Sequence, residues 1–180
     1  MSLYKATGIN LRNYNLSDSD KVVIVYNREF GKIKCVAKGA KKITSRYGGR
    51  IEPFVCNEML LSQGKTFDLI SQLETVESFY ALRRSEQKLL LGTYFLHVIN
   101  SVTEDHIAHP EIYDLLYLYL SKLMISENYH ELRIDFQQQL LKQEGYLPEN
   151  FSQLHFKKDQ MFDRFLQDHG IKMGTGLNKS

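Results

Sequence analysis

Apolar and polar residues alternate in short runs over the first 79 residues, and turn-forming Gly, Pro, Asn and Asp separate the runs. Such alternation is typical of β-strands, whose successive side chains point to opposite faces. Five strands are predicted, over residues 4–11, 21–26, 32–38, 54–62 and 66–78. The second, KVVIVY, is rich enough in β-branched residues to be buried on both faces. In the fifth we expect one face to carry Phe67, Leu69, Ser71 and Leu73.

From about residue 79 the apolar residues recur at the spacing of an α-helix instead. Helices are predicted over residues 81–102, 109–125, 129–144 and 158–170, the second opened by Pro110 and the third stopped by Gly145. The tail from about residue 171 is polar and rich in Gly, which predicts disorder. We therefore predict an α+β fold, with a five-stranded oligonucleotide-binding (OB) barrel over residues 1–79 and an all-α helical domain over residues 80–180.

Positive charge is concentrated in residues 21–50. This stretch holds nine basic residues and one acidic residue, Glu29, although the whole chain has a formal net charge of only +2. The third predicted strand places Lys32, Lys34 and Lys38 on one face, and the loop after it adds cations of the same sign. A polyanionic partner is favoured, because cations that neutralise phosphates release the bound counterions.

Eight residues of this stretch are predicted to bind nucleic acid: Lys32, Lys34, Lys38, Lys41, Lys42, Arg46, Tyr47 and Arg50. The cations would hold phosphates, while Tyr47, and also Tyr26, would offer ring faces on which unpaired bases stack. The same charges can also form an ordinary solvated surface, or protect an edge strand against association with another sheet. For each tyrosine taken alone, packing in the core or at its rim is favoured over base stacking.

Two cysteines, Cys35 and Cys56, lie in apolar strand patterns that predict buried, reduced thiols. No apolar run approaches the ~20 residues that cross a bilayer. The N-terminal residues MSLYKATGIN lack the apolar segment of a secretory signal. We therefore expect a cytoplasmic protein without membrane contact.

Motifs of catalysis and metal binding are absent from the sequence, which has neither a phosphate-binding loop nor a nucleophile elbow. The cysteines are too few for a tetrahedral zinc site. His106 and His109 flank a predicted helix start, where a capping or solvated pair is favoured over a metal site. Asp18 and Asp20 lie among turn-forming residues, so we interpret them as turn residues rather than as a magnesium-dependent nuclease centre. These observations predict a non-enzymatic protein without a cofactor.

A series of short motifs runs through the basic stretch and beyond it. In order they are Ser19-Asp20-Lys21, Glu29-Phe30-Gly31-Lys32, Ala37-Lys38-Gly39-Ala40-Lys41-Lys42, Ser45-Arg46, Glu52-Pro53-Phe54, Glu77-Ser78-Phe79 and Glu144-Gly145-Tyr146. In these motifs, residues 1–150 resemble the RecO family, the bacterial recombination mediators of DNA repair.

The resemblance implies an OB barrel followed by a helical domain, binding of single- and double-stranded DNA, and annealing of complementary strands. It also implies loading of the RecA recombinase together with RecR and the single-stranded DNA-binding protein, at the nucleoid. Many family members carry a four-cysteine zinc module where this chain has PENFSQLHFKKD, and the helical half is short. We therefore expect a short form without the zinc module. Arg83 and Arg84, beside apolar residues, are candidates for docking the acidic, apolar tail of the single-stranded DNA-binding protein, although a solvated helix start is the favoured interpretation.

A second hypothesis is a protein-interaction adaptor that uses the same basic face of the barrel to hold an acidic protein. Salt dependence distinguishes the two hypotheses. Counterion release from DNA gives a steep linear fall of log affinity with log salt, whereas a single protein interface is usually less sensitive.

Overall fold

The computed structural model describes residues 2–146 and 155–169, in which the predicted strands come first and the helices follow. The strands are β1 (Leu3–Asn15), β2 (Lys21–Asn27), β3 (Gly31–Ala37), β4 (Cys56–Ser62) and β5 (Asp68–Glu77). The helices are α1 (Glu86–Val102), α2 (Pro110–Ile125), α3 (Tyr129–Gln143) and α4 (His155–Asp168). Short 3-10 helices at Gly48–Ile51 and Tyr80–Arg84 lie in the connections.

The five strands close into a barrel in the order β1-β2-β3-β5-β4. Neighbouring strands are antiparallel except β3 and β5, which pair in parallel where Cys35 meets Asp68. β1 closes the barrel because its first half pairs with β4 and its second half with β2. The prediction of an α+β fold, with a five-stranded OB barrel followed by helices, is confirmed. The proposed domain limits at residues 79 and 80 stay a prediction.

β2 is buried on both faces, as its β-branched sequence predicts. Val23 and Val25 point into the barrel and belong to its core. Ile24 and Tyr26, on the other face, pack into the core formed with the helices. β2 is therefore a wall shared by the barrel core and the helical core.

The prediction that Phe67, Leu69, Ser71 and Leu73 share one face of β5 is wrong, and Phe67 lies just before the strand. Ile70, rather than Leu69, belongs to the barrel core, with Leu73 packed against it. The register shifts at this point, because Leu61 of β4 opposes Ile70 while Leu60 opposes Gln72. Ser71 is therefore an extra, bulged residue, and a bulge of one residue exchanges the two faces of a strand.

The helices begin close to their predicted starts, except for α1. Residues before α1 form a 3-10 helix, and Ser85 then caps α1 by accepting a hydrogen bond from the backbone N–H of Lys88 at 3.4 Å. α2 and α3 start at Pro110 and Tyr129 as predicted. Gly145, with φ of 74°, follows α3 in the left-handed conformation that favours glycine at a helix end.

α4 packs against the other helices through the apolar residues that the sequence predicts. Phe162, Phe165 and Leu166 are buried in the helical core. The helix starts at His155 rather than at residue 158. The side chain of Met161 and the tail from residue 171 lie outside the described residues.

The connection between α1 and α2, residues 103–109, lies against the start of β3 and joins the two halves. Asp105 forms a parallel β-bridge with Lys32, and the backbone N–H of His106 donates to the carbonyl oxygen of Lys32 at 2.9 Å. Gly31, with φ of 70°, comes so close that a Cβ there would lie 2.1 Å from the carbonyl oxygen of Ile107. Because any larger residue would collide there, glycine is needed for this docking.

Candidate nucleic-acid interface

The eight predicted binding residues fall into three environments: lysines of β3 that face the helices, exposed cations beyond the end of β3, and one buried tyrosine. β3 keeps its predicted alternation, since Ile33, Cys35 and Ala37 belong to the barrel core. Lys32 and Lys34 therefore point outward, but toward the helices. The other residues lie beyond the end of β3, so the structure does not bring all eight onto one face.

Lys32 holds the end of α1. Its Nζ donates to the carbonyl oxygens of Asn100 at 2.7 Å and Thr103 at 2.6 Å, and its side chain is only 11% exposed. A lysine placed here satisfies carbonyls that the helix leaves unpaired at its C-terminus. Burial is the main cause that lowers the pKa of Lys32, and the charge of Lys34 lowers it further against the opposing effect of Asp105.

Lys34 binds the same connection through a carboxylate. Its Nζ lies 2.5 Å from Oδ2 of Asp105, and Lys32 lies 3.8 Å from the other oxygen. Partial burial acts to raise the pKa of Asp105, but the hydrogen bond and charge of Lys34 outweigh it and hold that pKa below its usual value. Both lysines of β3 thus have partners in the helical half.

Lys38, Lys41 and Lys42 lie on the loop that follows β3, and all three are exposed. We call residues 38–46 the basic loop. No carboxylate of residues 2–146 or 155–169 lies within ion-pair distance of these three amino groups, whereas Lys21, by contrast, pairs with Glu52 at 3.5 Å. The basic loop therefore presents three exposed ammonium groups that form no ion pair with a described residue, although the charge of Lys38 is a minor cause of the lowered pKa of Asp20.

Asp20 positions the basic loop. Its Oδ1 accepts a hydrogen bond from the backbone N–H of Gly39 at 2.8 Å, and the N–H of Lys41 donates to the carbonyl oxygen of Ser19 at 3.0 Å. The hydrogen bond from Gly39, and then that from the Ser19 hydroxyl, hold the pKa of Asp20 below its usual value. This role of Asp20 is not predicted from the sequence, where the Ser-Asp pair before β2 is its one signal.

The turn interpretation of this segment is confirmed by its own hydrogen bonds. Ser17 Oγ accepts from the backbone N–H groups of Ser19 at 3.4 Å and Asp20 at 3.2 Å. Such bonds between a serine hydroxyl and its neighbouring backbone stabilise a tight turn.

Arg46 and Arg50 add two exposed cations that contact the backbone of β5. Arg46 Nη2 donates to the carbonyl oxygen of Ile70 at 3.3 Å, and Arg50 Nη1 donates to that of Leu73 at 3.1 Å. Both residues are exposed, so each keeps guanidinium N–H groups facing solvent. Backbone carbonyls neutralise no charge, and the two cations remain available to an anion.

Tyr47 lies inside the barrel, and the expectation that it stacks on bases is wrong. The residue is 2% exposed, and its hydroxyl donates to the carbonyl oxygen of Ile70 at 3.2 Å. Tyr26 is fully buried between β2 and the helices. The alternative that each tyrosine belongs to the core is confirmed.

The remaining candidate chemistry is structural in the described part of the chain. Cys35 and Cys56 are buried free thiols, and burial is the main cause that raises the pKa of each. His109 is the residue before α2, but its side chain makes no capping hydrogen bond. Among the described residues, no three His, Cys, Asp or Glu side chains are grouped to hold a metal ion. None of the described helices is long and apolar enough to cross a membrane.

Comparisons with known proteins cover both halves of the chain. Family models described as Recombination protein O N terminal and Recombination protein O C terminal match residues 1–79 and 83–162, respectively. The DNA repair protein RecO of Trichodesmium erythraeum is 37% identical over 121 residues, which are 67% of this chain and 42% of the relative. Those of Rubrobacter xylanophilus and Pelotomaculum thermopropionicum are 32% and 33% identical over 152 and 148 residues, 82% of this chain in both cases.

The chain spans between 42% and 60% of the length of these relatives. Its similarity nevertheless runs through the barrel and the helices, with the basic stretch inside the matched part. The chain therefore belongs to the RecO family of DNA repair proteins.

Proposed function

We propose that this protein binds single- and double-stranded DNA through the basic loop and acts in repair without catalysing a reaction. The observation that carries the proposal is the exposure of Lys38, Lys41 and Lys42 on one anchored loop, without a carboxylate partner among the described residues. Arg46 and Arg50 extend the same sign of charge beside it. Lys32 and Lys34 are left out of this set, because their amino groups hold the helical half.

Contacts of this kind hold the backbone of a DNA strand and leave its bases free. Lysines and arginines neutralise phosphates without reading sequence. Two complementary strands held in this way repel each other less, so they can pair while still bound. We propose strand annealing on this ground, and with it a role in loading the RecA recombinase at the nucleoid of a bacterial cytoplasm.

We also propose that the protein works with RecR and with the single-stranded DNA-binding protein, the partners that the family resemblance implies. For the second partner, the structure offers a candidate docking groove. A groove of about 320 Å³ lies between β1 and α1, with Phe54, Leu89 and Leu96 among its apolar lining residues. Arg12 and Arg83 lie at the same groove, and Arg83 Nη2 donates to the carbonyl oxygen of Pro53 at 2.6 Å. Apolar walls beside guanidinium groups suit an acidic, apolar tail. Fluorescence anisotropy with such a peptide should give weaker binding to Arg12→Glu than to the unchanged protein.

A charge-reversal experiment tests DNA binding. The variant K38E/K41E/K42E should lose binding to single-stranded and duplex oligonucleotides in a gel shift at low salt, while its circular dichroism stays unchanged because all three residues are exposed. A matched control, K5E/R84E/K142E, changes the net charge equally at exposed positions elsewhere and should keep binding. Unchanged affinity in the first variant would refute the proposal.

A salt titration separates DNA binding from the adaptor hypothesis. For the unchanged protein, log affinity for a single strand should fall linearly with log salt, by about 0.7 for each phosphate that is neutralised. Replacement of the three loop lysines by Ala should reduce that slope by about 2. A shallow slope that the replacement does not alter would favour an acidic protein partner instead.

A further inference from the structure

The tip of the basic loop carries an isoleucine that no described residue covers. Ile43 has a relative exposure of 106%, as open as a residue in an extended peptide. Residues 31–62 are all described, and within them Ile43 is the one large apolar residue that is exposed. Single exposed apolar residues are common on proteins, so its position and surroundings must decide whether it has a role.

The loop holds Ile43 in an ordered turn. The backbone N–H of Ser45 donates to the carbonyl oxygen of Lys42 at 2.9 Å, which places Ile43 second in a four-residue turn. Proline and small polar residues are the usual choices at such positions, and a β-branched apolar residue gives the turn no advantage. Neither burial nor turn formation explains an isoleucine at this point.

Both ends of the loop are fixed, so the side chain is displayed rather than left to fold back. On one side, Gly39 and Lys41 are hydrogen-bonded to Asp20 and Ser19. On the other side, the backbone N–H of Tyr47 donates to Ser45 Oγ at 3.2 Å, and the Tyr47 ring is buried in the barrel. Ile43 therefore projects from a loop that is hydrogen-bonded at both ends.

The neighbours of Ile43 are the cations that the proposed function uses. Lys41 and Lys42 precede it directly and Arg46 follows, so a DNA backbone bound by these residues passes beside the isoleucine. Tyr47 and Tyr26, the tyrosines predicted to stack on bases, cannot contact them because both are buried. An unpaired DNA strand offers some apolar surface at thymine methyl groups, but the faces of the bases are present at every nucleotide, so they are the surface that we expect this side chain to meet.

We propose that Ile43 inserts between neighbouring bases of the DNA strand held by the basic loop. The proposal rests on the proposed function and adds the contact that separates bound bases from one another. Isoleucine is among the apolar side chains that proteins use as wedges between base steps. Bases that are separated from their neighbours in this way are free to pair with a complementary strand.

Fluorescence of 2-aminopurine tests the insertion, because stacking on neighbouring bases quenches this base analogue. A short single strand with 2-aminopurine between adenines should brighten when the unchanged protein saturates it. Ile43→Ala should abolish most of that rise at saturation and weaken binding about tenfold, since it removes the buried apolar surface. Ile43→Leu should restore both. The matched control is Ile125→Ala, at an isoleucine 84% exposed in the helical half, which should behave as the unchanged protein does.

The slope of log affinity against log salt keeps the two proposals apart. Ile43→Ala should leave this slope unchanged, because no phosphate contact is lost. If the unchanged protein binds with a steep slope but Ile43→Ala matches it in brightening and affinity, the insertion is refuted and phosphate binding stands. If the unchanged protein does not bind the strand at all, both proposals fail.

Discussion

Lys32 and Lys38 belong to one run of alternating lysines, yet they lie in opposite environments. Lys32 is enclosed at the end of α1, where it donates to the carbonyl oxygen of Asn100 in the helix and to that of Thr103 directly after it. Lys38, six residues later in the chain, is exposed at the start of the basic loop. The difference arises because α1 and the 103–109 connection cover the start of β3 and leave its end open. Lysines of one run can therefore differ in role, because those covered by the helices have protein partners and those left uncovered face solvent.

Two glycines give the largest effect that this comparison predicts. Gly31 and Gly39 have nearly the same left-handed backbone, with φ of 70° and 71°. Gly31→Ala should lower the free energy of unfolding by about 3 kcal/mol, because strain adds to a collision with the Ile107 carbonyl. Gly39→Ala should cost about 1 kcal/mol from strain alone, since the nearest atom to the new Cβ would belong to the Lys42 side chain, at 3.6 Å. Urea unfolding measures both, and equal losses would contradict the docking of the connection on β3.

The lysines themselves give the next largest effect. Lys32→Met should lower the free energy of unfolding by about 2 kcal/mol, because it leaves the carbonyls of Asn100 and Thr103 without their donor. The matched variant Lys38→Met should change stability by less than about 0.5 kcal/mol. Urea unfolding again decides, and a loss at Lys38 as large as that at Lys32 would mean that the two environments do not differ.

DNA binding should show the reverse order. Lys42→Ala should reduce the slope of log affinity against log salt by about 0.7 on a single strand, which corresponds to one phosphate. Lys34→Ala should leave the slope unchanged, because Asp105 already neutralises that amino group. The measurement is a series of anisotropy titrations over salt concentration. If the slope changed more in Lys34→Ala than in Lys42→Ala, the DNA interface would lie on β3 rather than on the basic loop.

The smallest effect concerns pH and Asp20. Its folded-state pKa lies below the usual value, so its contribution to loop order is present above the ordinary pKa of about 3.9 and is lost as pH falls through the folded value. The amide proton of Gly39 should therefore shift in NMR spectra at a pH below about 3.9. In Asp20→Ala that titration should disappear. A midpoint at or above the ordinary pKa would show that the carboxylate does not hold the loop.

Much of the architecture is predictable from local sequence alone. The β-branched run of β2 predicts burial on two faces, and Ile33, Cys35 and Ala37 occupy the inner face of β3 that their alternation predicts. Pro110 marks the start of α2 because proline is tolerated in a first turn. Each of these features depends on residues that are close along the chain.

The sequence-based predictions fail where contacts between residues far apart in the chain determine the structure. Nothing near Lys32 in sequence indicates that the carbonyl of Asn100, 68 residues later, lies beside its amino group. The bulge at Ser71 depends on register with β4, and the burial of Tyr47 depends on contacts with barrel residues that are distant in sequence, such as Ile70. Ion pairing and register are properties of the assembled fold, so a charge pattern locates the candidate interface but does not identify its members.

Because β2 is the common wall of both cores, the barrel and the helices depend on each other for folding. A barrel separated from the helices would expose Ile24 and Tyr26 to water, and burial of each such side chain is worth about 1.5–3 kcal/mol. We therefore expect a single cooperative melting transition rather than two. Displacement of the helices would uncover Ile24 and Tyr26 on β2, the strand paired with β3, so we expect the helices to stabilise the strand that leads into the proposed DNA-binding loop.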